Sequence, residues 1–203
     1  MALRLAEERG LGAVSMRAVA SGVGLTPMAL YRYFRDKDDL LDGLVGRVLG
    51  RIPLPDPVLD WRERILVCAR GARAVAHRYP RTFPLLLSRP AVLPGAVRVV
   101  DPLYAALLDA GVPKERVAGL ERMISTFVLG FAVSEVNGRF GEGSLGTRER
   151  REQLDPEELP EHPRLGNVLD LPVDWDAEFE EGMAGLLEMV EKAGSPDGAD
   201  ERA

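Results

Sequence analysis

An all-α fold is what this sequence predicts, and three observations carry the prediction. Apolar residues recur at i, i+3 and i+4 through one stretch after another. Nowhere do they alternate with polar residues as a half-buried strand requires. Helix-start residues stand at Ser15, Thr26 and Asp36, each directly ahead of such a stretch. The expected architecture is an N-terminal helix-turn-helix domain over residues 1–50, a larger C-terminal helical domain over 58–193 and a disordered tail over 194–203.

Residues 2–10 read as the first helix, with Leu3, Leu5 and Ala6 as apolar contacts and Gly10 or Gly12 ending it. Ser15 caps the second, whose Met16, Val19 and Ala20 form one apolar face. Gly22-Val23-Gly24 reverses the chain: the glycines allow positive φ, and Val23 is placed to plug the angle between helices. Thr26 caps a third helix, Pro27 to Phe34. Pro27 is at the first helical position, where its missing N–H costs nothing, and Leu25 and Leu30 are spaced for a hydrophobic staple. Stepping 100° per residue turns Leu30, Phe34 and Pro27 inward and Met28, Ala29 and Arg32 outward, with Tyr31 and Tyr33 on the flanks. One outward guanidinium can grip a guanine edge with two hydrogen bonds. The phenols and Arg35 can donate to phosphate oxygens. Asp36 caps a fourth helix over 37–50, with Asp39 at its third position. Lys37 lies in its first turn, where free N–H groups and the helix dipole favour an anion. The bland alternative is a helical hairpin with solvated Tyr and Arg; three caps in register around an outward Arg favour a DNA-reading head.

Pro53, Pro55 and Pro57 then break the pattern, marking a domain boundary and a hinge. Beyond them the sequence reads as long helices. Val58 to Tyr79 carries Trp61, Ile65, Cys68, Ala72, Val75 and Ala76 at helical spacing and is closed by Pro80. Arg81 to Ser88 is a short helix. Gly95 to Ala110 follows, with Pro102 kinking or splitting it. Pro113 starts a helix running to about Phe140, with Val117, Leu120, Ile124, Phe127, Val128 and Phe131 inward. Residues 141–171 read as loop, and the basic run Arg148 to Arg151 as a solvated part of it. The last helix spans Pro172 to about Ala193, and its Met183, Leu186, Leu187 and Val190 form an apolar stripe.

The net charge is −6, but it is divided unevenly. The first 50 residues hold seven basic and six acidic side chains, and the remainder is acidic by seven charges. Residues 15–37 carry Arg17, Arg32, Arg35 and Lys37 against Asp36 alone. DNA binding needs a basic patch rather than a basic protein. The single cysteine, Cys68, allows no disulfide within the chain and reads as a buried thiol. With only His77 and His162, a multi-histidine metal site cannot be built. Glu7 and Glu8 interrupt any N-terminal signal, and no run approaches 18 apolar residues, which predicts a soluble cytoplasmic protein with no membrane partner. Asp174, Asp176, Glu178, Glu180 and Glu181 supply carboxylates at mixed spacing. Without a Ser/His/Asp set, a metal-ligand cluster or a phosphate-cradling glycine loop, enzyme chemistry and a cofactor are not expected. An interaction protein that kept such a fold and lost DNA binding is the other alternative.

Gly10, Ser15-Met16-Arg17, Val19-Ala20, Gly22-Val23-Gly24, Leu30-Tyr31-Arg32-Tyr33-Phe34, Lys37 and Leu40-Leu41 together closely resemble the DNA-binding domain of the TetR family of bacterial regulators. The likeness covers residues 2 to 48. It implies that Arg17 and Arg32 touch bases and that Ser15, Thr26, Pro27, Ala29, Tyr31, Tyr33 and Lys37 touch the DNA backbone. Family members usually have about two more turns ahead of this first helix, often basic. Ser88-Arg89-Pro90, Phe127 to Phe131, and Phe179-Glu-Glu-Gly182 with Leu186-Leu187 resemble, more weakly, the C-terminal domain of the tetracycline repressors. That implies a homodimer through the last two long helices, where Gly182 and Gly185 would let helices approach. It also implies a repressor released from a palindromic operator by a small-molecule effector. Candidate ligand residues are His77, Phe83, Leu86, Met123, Phe127, Phe131 and Ser134, a set that could equally be plain core. The positions that hold a tetracycline–magnesium chelate in that class are Leu85, Pro53 and Ser134 here. An apolar or aromatic effector is therefore expected instead.

Overall fold

A computed structural model of the chain describes residues 1–89, 94–139, 155–169 and 171–195, and no strand occurs among them. The helices are α1 (Ala2–Arg9), α2 (Met16–Gly22), α3 (Pro27–Leu30), α4 (Lys37–Leu49), α5 (Trp61–Arg78), α6 (Pro94–Asp109), α7 (Lys114–Val136), α8 (Glu161–Leu169) and α9 (Trp175–Gly194). Short 3-10 turns occupy Leu11–Ala13 and Phe83–Leu87.

Two apolar clusters organise them. The smaller gathers Ala6, Val14, Met16, Val19, Ala20, Leu30, Leu40, Leu41 and Leu44. The larger is built on α5, α6, α7 and α9 around Ile65, Phe83, Leu107, Phe179 and Met183. Helix α4 belongs to both: Leu40, Leu41 and Leu44 enter the small cluster, and Val45, Val48 and Leu49 enter the large one. The proline segment is therefore not a free hinge. Ile52 and Pro55 are buried, and the ring of Pro53 sits so close to Gly71 that an added Cβ there would lie 2.5 Å from it. Helices α4 and α6 also cross at Gly46 and Gly95, where a Cβ on Gly95 would lie 3.0 Å from the Gly46 Cα.

Several local expectations change on folding. Helix α3 is a single α-turn; the chain continues to Phe34 as tight turns, Tyr33 N–H donating to the Leu30 carbonyl at 3.0 Å. Of the reversal glycines only Gly24 takes positive φ, at +72°. Val23, Leu25 and Pro27 are all exposed, so the plug and the staple do not close; Leu30 and Phe34 alone face in. Helix α5 starts at Trp61 because Asp60, not an earlier residue, accepts from the Glu63 N–H at 3.0 Å. Helix α6 runs unbroken through Pro102. Helix α8 lies inside the stretch read as loop. Helix α9 starts at Trp175, capped by Asp174, rather than at Pro172. The Arg148–Arg151 run and the tail from 196 lie outside the described residues.

The apolar stripe of α9 is mostly internal: Met183, Leu187 and Val190 are buried in the chain's own core, and only Leu186 reaches the surface. Gly182 likewise serves the monomer, since the Phe127 ring lies where its Cβ would be. Helix α7 is long and apolar enough to cross a membrane, which the absence of a continuous apolar run had not suggested. Its Val117, Leu120, Ile124, Val128 and Ala132 instead lie buried in the large core.

Candidate nucleic-acid interface and apolar cavity

The caps fix the head. Ser15 Oγ accepts from Ala18 N–H at 3.2 Å, Thr26 Oγ1 from Ala29 N–H at 3.2 Å, and Asp36 Oδ1 from Asp39 N–H at 2.8 Å. Each satisfies a donor that the helix start leaves open. With these starts in place, α3 and the turns after it present Met28, Tyr31 and Tyr33 at 77, 50 and 74% exposure. Of the nine residues expected at DNA, Arg17, Thr26, Pro27, Tyr31, Arg32, Tyr33 and Lys37 are exposed, and Ser15 and Ala29 are half-buried beneath them. Arg17, Arg32 and Lys37 form no ion pair with any described residue. Arg35 is different: its backbone N–H donates to Asp39 Oδ2 at 2.9 Å and its Nε lies 3.5 Å from the same oxygen. The backbone bond first, and the guanidinium second, hold the Asp39 carboxyl below its usual range.

Two polar anchors tie the head to the rest. Glu7 on α1 accepts from the Thr82 N–H at 2.9 Å, from its hydroxyl at 2.5 Å and from the Arg81 N–H at 3.1 Å. Arg89 reaches α4, with Nη2 2.9 Å from Asp38 Oδ1 and Nη1 2.9 Å from Asp42 Oδ1.

Arg89 also lines a cavity of about 130 Å³ between α4, α5, α6, α7 and the Phe83–Leu87 turn. Its wall is apolar, from Val45 and Leu49 on α4 to Ile124 and Val128 on α7. Cys68 is part of it, and burial pushes its thiol up to about 11, which keeps it protonated and unreactive. The polar exceptions are Arg89, Glu121 and Ser125.

Among the ligand residues expected from sequence, only Leu86 lines this cavity. Phe83 is buried in the core beside it. His77 is half-exposed, its Nε2 3.1 Å from Glu135 Oε1, and Glu135 in turn takes two hydrogen bonds from Arg73 at 2.6 and 2.7 Å. Met123 is exposed. Phe127 stacks on Phe179 at 6.1 Å between centroids, Phe131 meets it edge-on at 5.3 Å, and Ser134 follows them on α7. The stripe Met123–Phe127–Phe131–Ser134 and the cavity face Glu121–Ile124–Ser125–Val128 lie on different sides of one helix. Hydrophobicity alone does not tell them apart. The missed signal was Glu121, a charge at an inward helical position.

An outward helix-turn-helix on a helical body with an apolar cavity defines a DNA-binding regulator of transcription. The chain belongs to the TetR family: residues 1–44 match the model for bacterial regulatory proteins of the tetR family, and residues 54–193 match the tetracyclin repressor-like C-terminal domain. An HTH-type transcriptional regulator of Saccharopolyspora erythraea is 30% identical over 188 residues, covering 92% of this chain and 79% of its own length. The class A tetracycline repressor from transposon 1721 of Escherichia coli is 28% identical, covering 94% of this chain and 87% of its own. Streptomyces coelicolor ActR, solved in complex with actinorhodin, superposes with a TM-score of 0.79 at 24% identity, covering 100% of this chain and 94% of its own. The chain spans about half the length of other curated relatives, among them the repressor DrrR1 of Streptomyces coeruleorubidus.

Proposed function

We propose that the protein is a homodimeric cytoplasmic repressor that leaves a palindromic operator when a small molecule enters the α4–α7 cavity. The observation that carries this reading is the exposed Arg32 between Tyr31 and Tyr33, with no ion pair to any described residue to compete with DNA. In it, residues 1–50 read DNA and residues 58–193 bind effector and partner. Arg17 and Arg32 contact bases. Ser15, Thr26, Pro27, Ala29, Tyr31, Tyr33 and Lys37 contact the backbone.

The dimer face differs from the stripe first expected. On α7 and α9, Met123 and Met189 are exposed, and Gly119, Arg122, Met123, Thr126, Phe127 and Leu186 line an open groove. A Cβ on Gly119 or Gly185 would meet nothing within 4 Å, so a partner helix can approach there. Pairing two heads supports two half-sites about 34–36 Å apart.

Helix α4 supports the coupling. It contributes Val45 and Leu49 to the cavity and carries the Asp38 and Asp42 that hold Arg89. An effector that fits one position of α4 better than another shifts the spacing of the heads by that difference in affinity. ActR with actinorhodin supports a small-molecule effector without identifying this one. Leu85, Pro53 and Ser134 do not favour a tetracycline–magnesium chelate.

A gel shift against the DNA upstream of its own coding region, with and without cell extract, tests the reading. The expected result is one retarded species with two chains per duplex, lost on adding extract. Binding no tighter to that duplex or to selected duplexes than to random DNA would sink it.

A further inference from the structure

We infer that the effector is a compact apolar amine, bound as its ammonium with the charge against Glu121. This rests on the cavity being the effector site. Glu121 is only 7% exposed, yet it lines a cavity that is apolar apart from it, Arg89 and Ser125. One oxygen, Oε1, accepts from the Ser125 hydroxyl at 2.5 Å, one turn further along α7. No described cation lies against it. The other charge in the wall, Arg89, is answered twice, by Asp38 and Asp42. The cavity therefore presents one buried carboxylate with spare acceptor capacity on a largely apolar wall.

Such a group is costly to bury unless a partner meets it. An ammonium supplies that partner through a charge-assisted hydrogen bond, and the apolar wall takes the rest of the molecule. A carboxylate ligand would meet like charge, and a neutral one would leave Glu121 as it was. The volume, about 130 Å³, is on the scale that holds a single aromatic ring.

The test uses three probes of one shape, benzylammonium, toluene and benzoate, titrated calorimetrically into the full chain. Benzylammonium is expected to bind most tightly. E121Q is expected to weaken it about 10- to 100-fold while leaving toluene within about twofold. E121L, which fills the site with apolar bulk, covers the case in which the amide fails to fold and is expected to erase the ammonium preference. The inference is overturned if benzoate or toluene equals benzylammonium, or if E121Q keeps the ammonium affinity. Toluene binding that I124W abolishes would then leave the cavity reading standing without the amine. No binding by any probe to a chain that still shifts DNA overturns both.

Discussion

The head and the body of this protein expose opposite kinds of surface. In the head, the residues that matter face outward and each is set by its immediate neighbours: Ser15, Thr26 and Asp36 fix three helix starts, and Tyr31, Arg32 and Tyr33 follow from the third element. In the body, the cavity exists only because five elements turn particular sides toward one another. A convex surface can be read from one helix, whereas a concave one needs all its walls. Helix α4 joins the two, since its first turns complete the head's core and its last turns line the cavity.

The largest effect expected on this contrast comes from the body. Phe179 is fully buried between Phe127 and Phe131, and Phe179→Ala is expected to remove about 3–5 kcal/mol of stability, measured by urea unfolding. Because α4 is shared, helicity and a fluorescence probe in the head are expected to report one coincident transition. A head that stays folded after the body melts would break the link through α4.

Arg32→Ala comes next, with the opposite character. It is expected to leave the melting temperature unchanged and to lose about 1–3 kcal/mol of discrimination at one base pair. Binding to selected and random duplexes separates the two: equal losses on both would remove Arg32 from base contact. Asp36→Ala falls between the regions, because it uncaps the helix they share. It is expected to cost about 1 kcal/mol of stability and to weaken binding to all duplexes alike.

The smallest effect is acid sensitivity in the body. Burial pushes the Glu135 carboxyl up, but hydrogen bonds from Arg73, its charge and His77 outweigh that and hold the carboxyl below its ordinary value of 4.5. Its contribution is therefore complete above that ordinary value and disappears as pH falls through the lower folded value. Melting curves of wild type and E135Q are expected to differ at pH 6 and to converge as pH falls through the lowered folded value. Since Asp176 also holds Arg73, at 2.7 Å, the gap is modest. A gap that widened in acid would reverse the assignment.

The stretches read best and worst differ in the range of the forces behind them. Cap hydrogen bonds span three residues, so Ser15, Thr26 and Asp36 were legible. Helix spacing likewise placed α5, α6 and α7 to within a few residues. Val23 and Leu25 were misjudged because an apolar residue in a turn is buried only if something comes to cover it, and nothing does. Helix α8 was missed beneath a Gly-, Pro- and charge-rich composition. On α7, Met123, Phe127 and Phe131 looked like pocket residues because they are large. Phe127 and Phe131 meet Phe179 of α9 and Met123 lies exposed on an open groove, while the less conspicuous Glu121, Ser125 and Val128 line the cavity.

By itself, then, the amino-acid order determined the helices, their caps and the outward Arg32 surface, because these depend on bonds a few residues long. Which side of α7 lines a cavity, which face of α9 stays exposed, and how Arg89 reaches Asp38 and Asp42 were decided only by packing. Those contacts join residues about fifty or more positions apart, and no local preference specifies them.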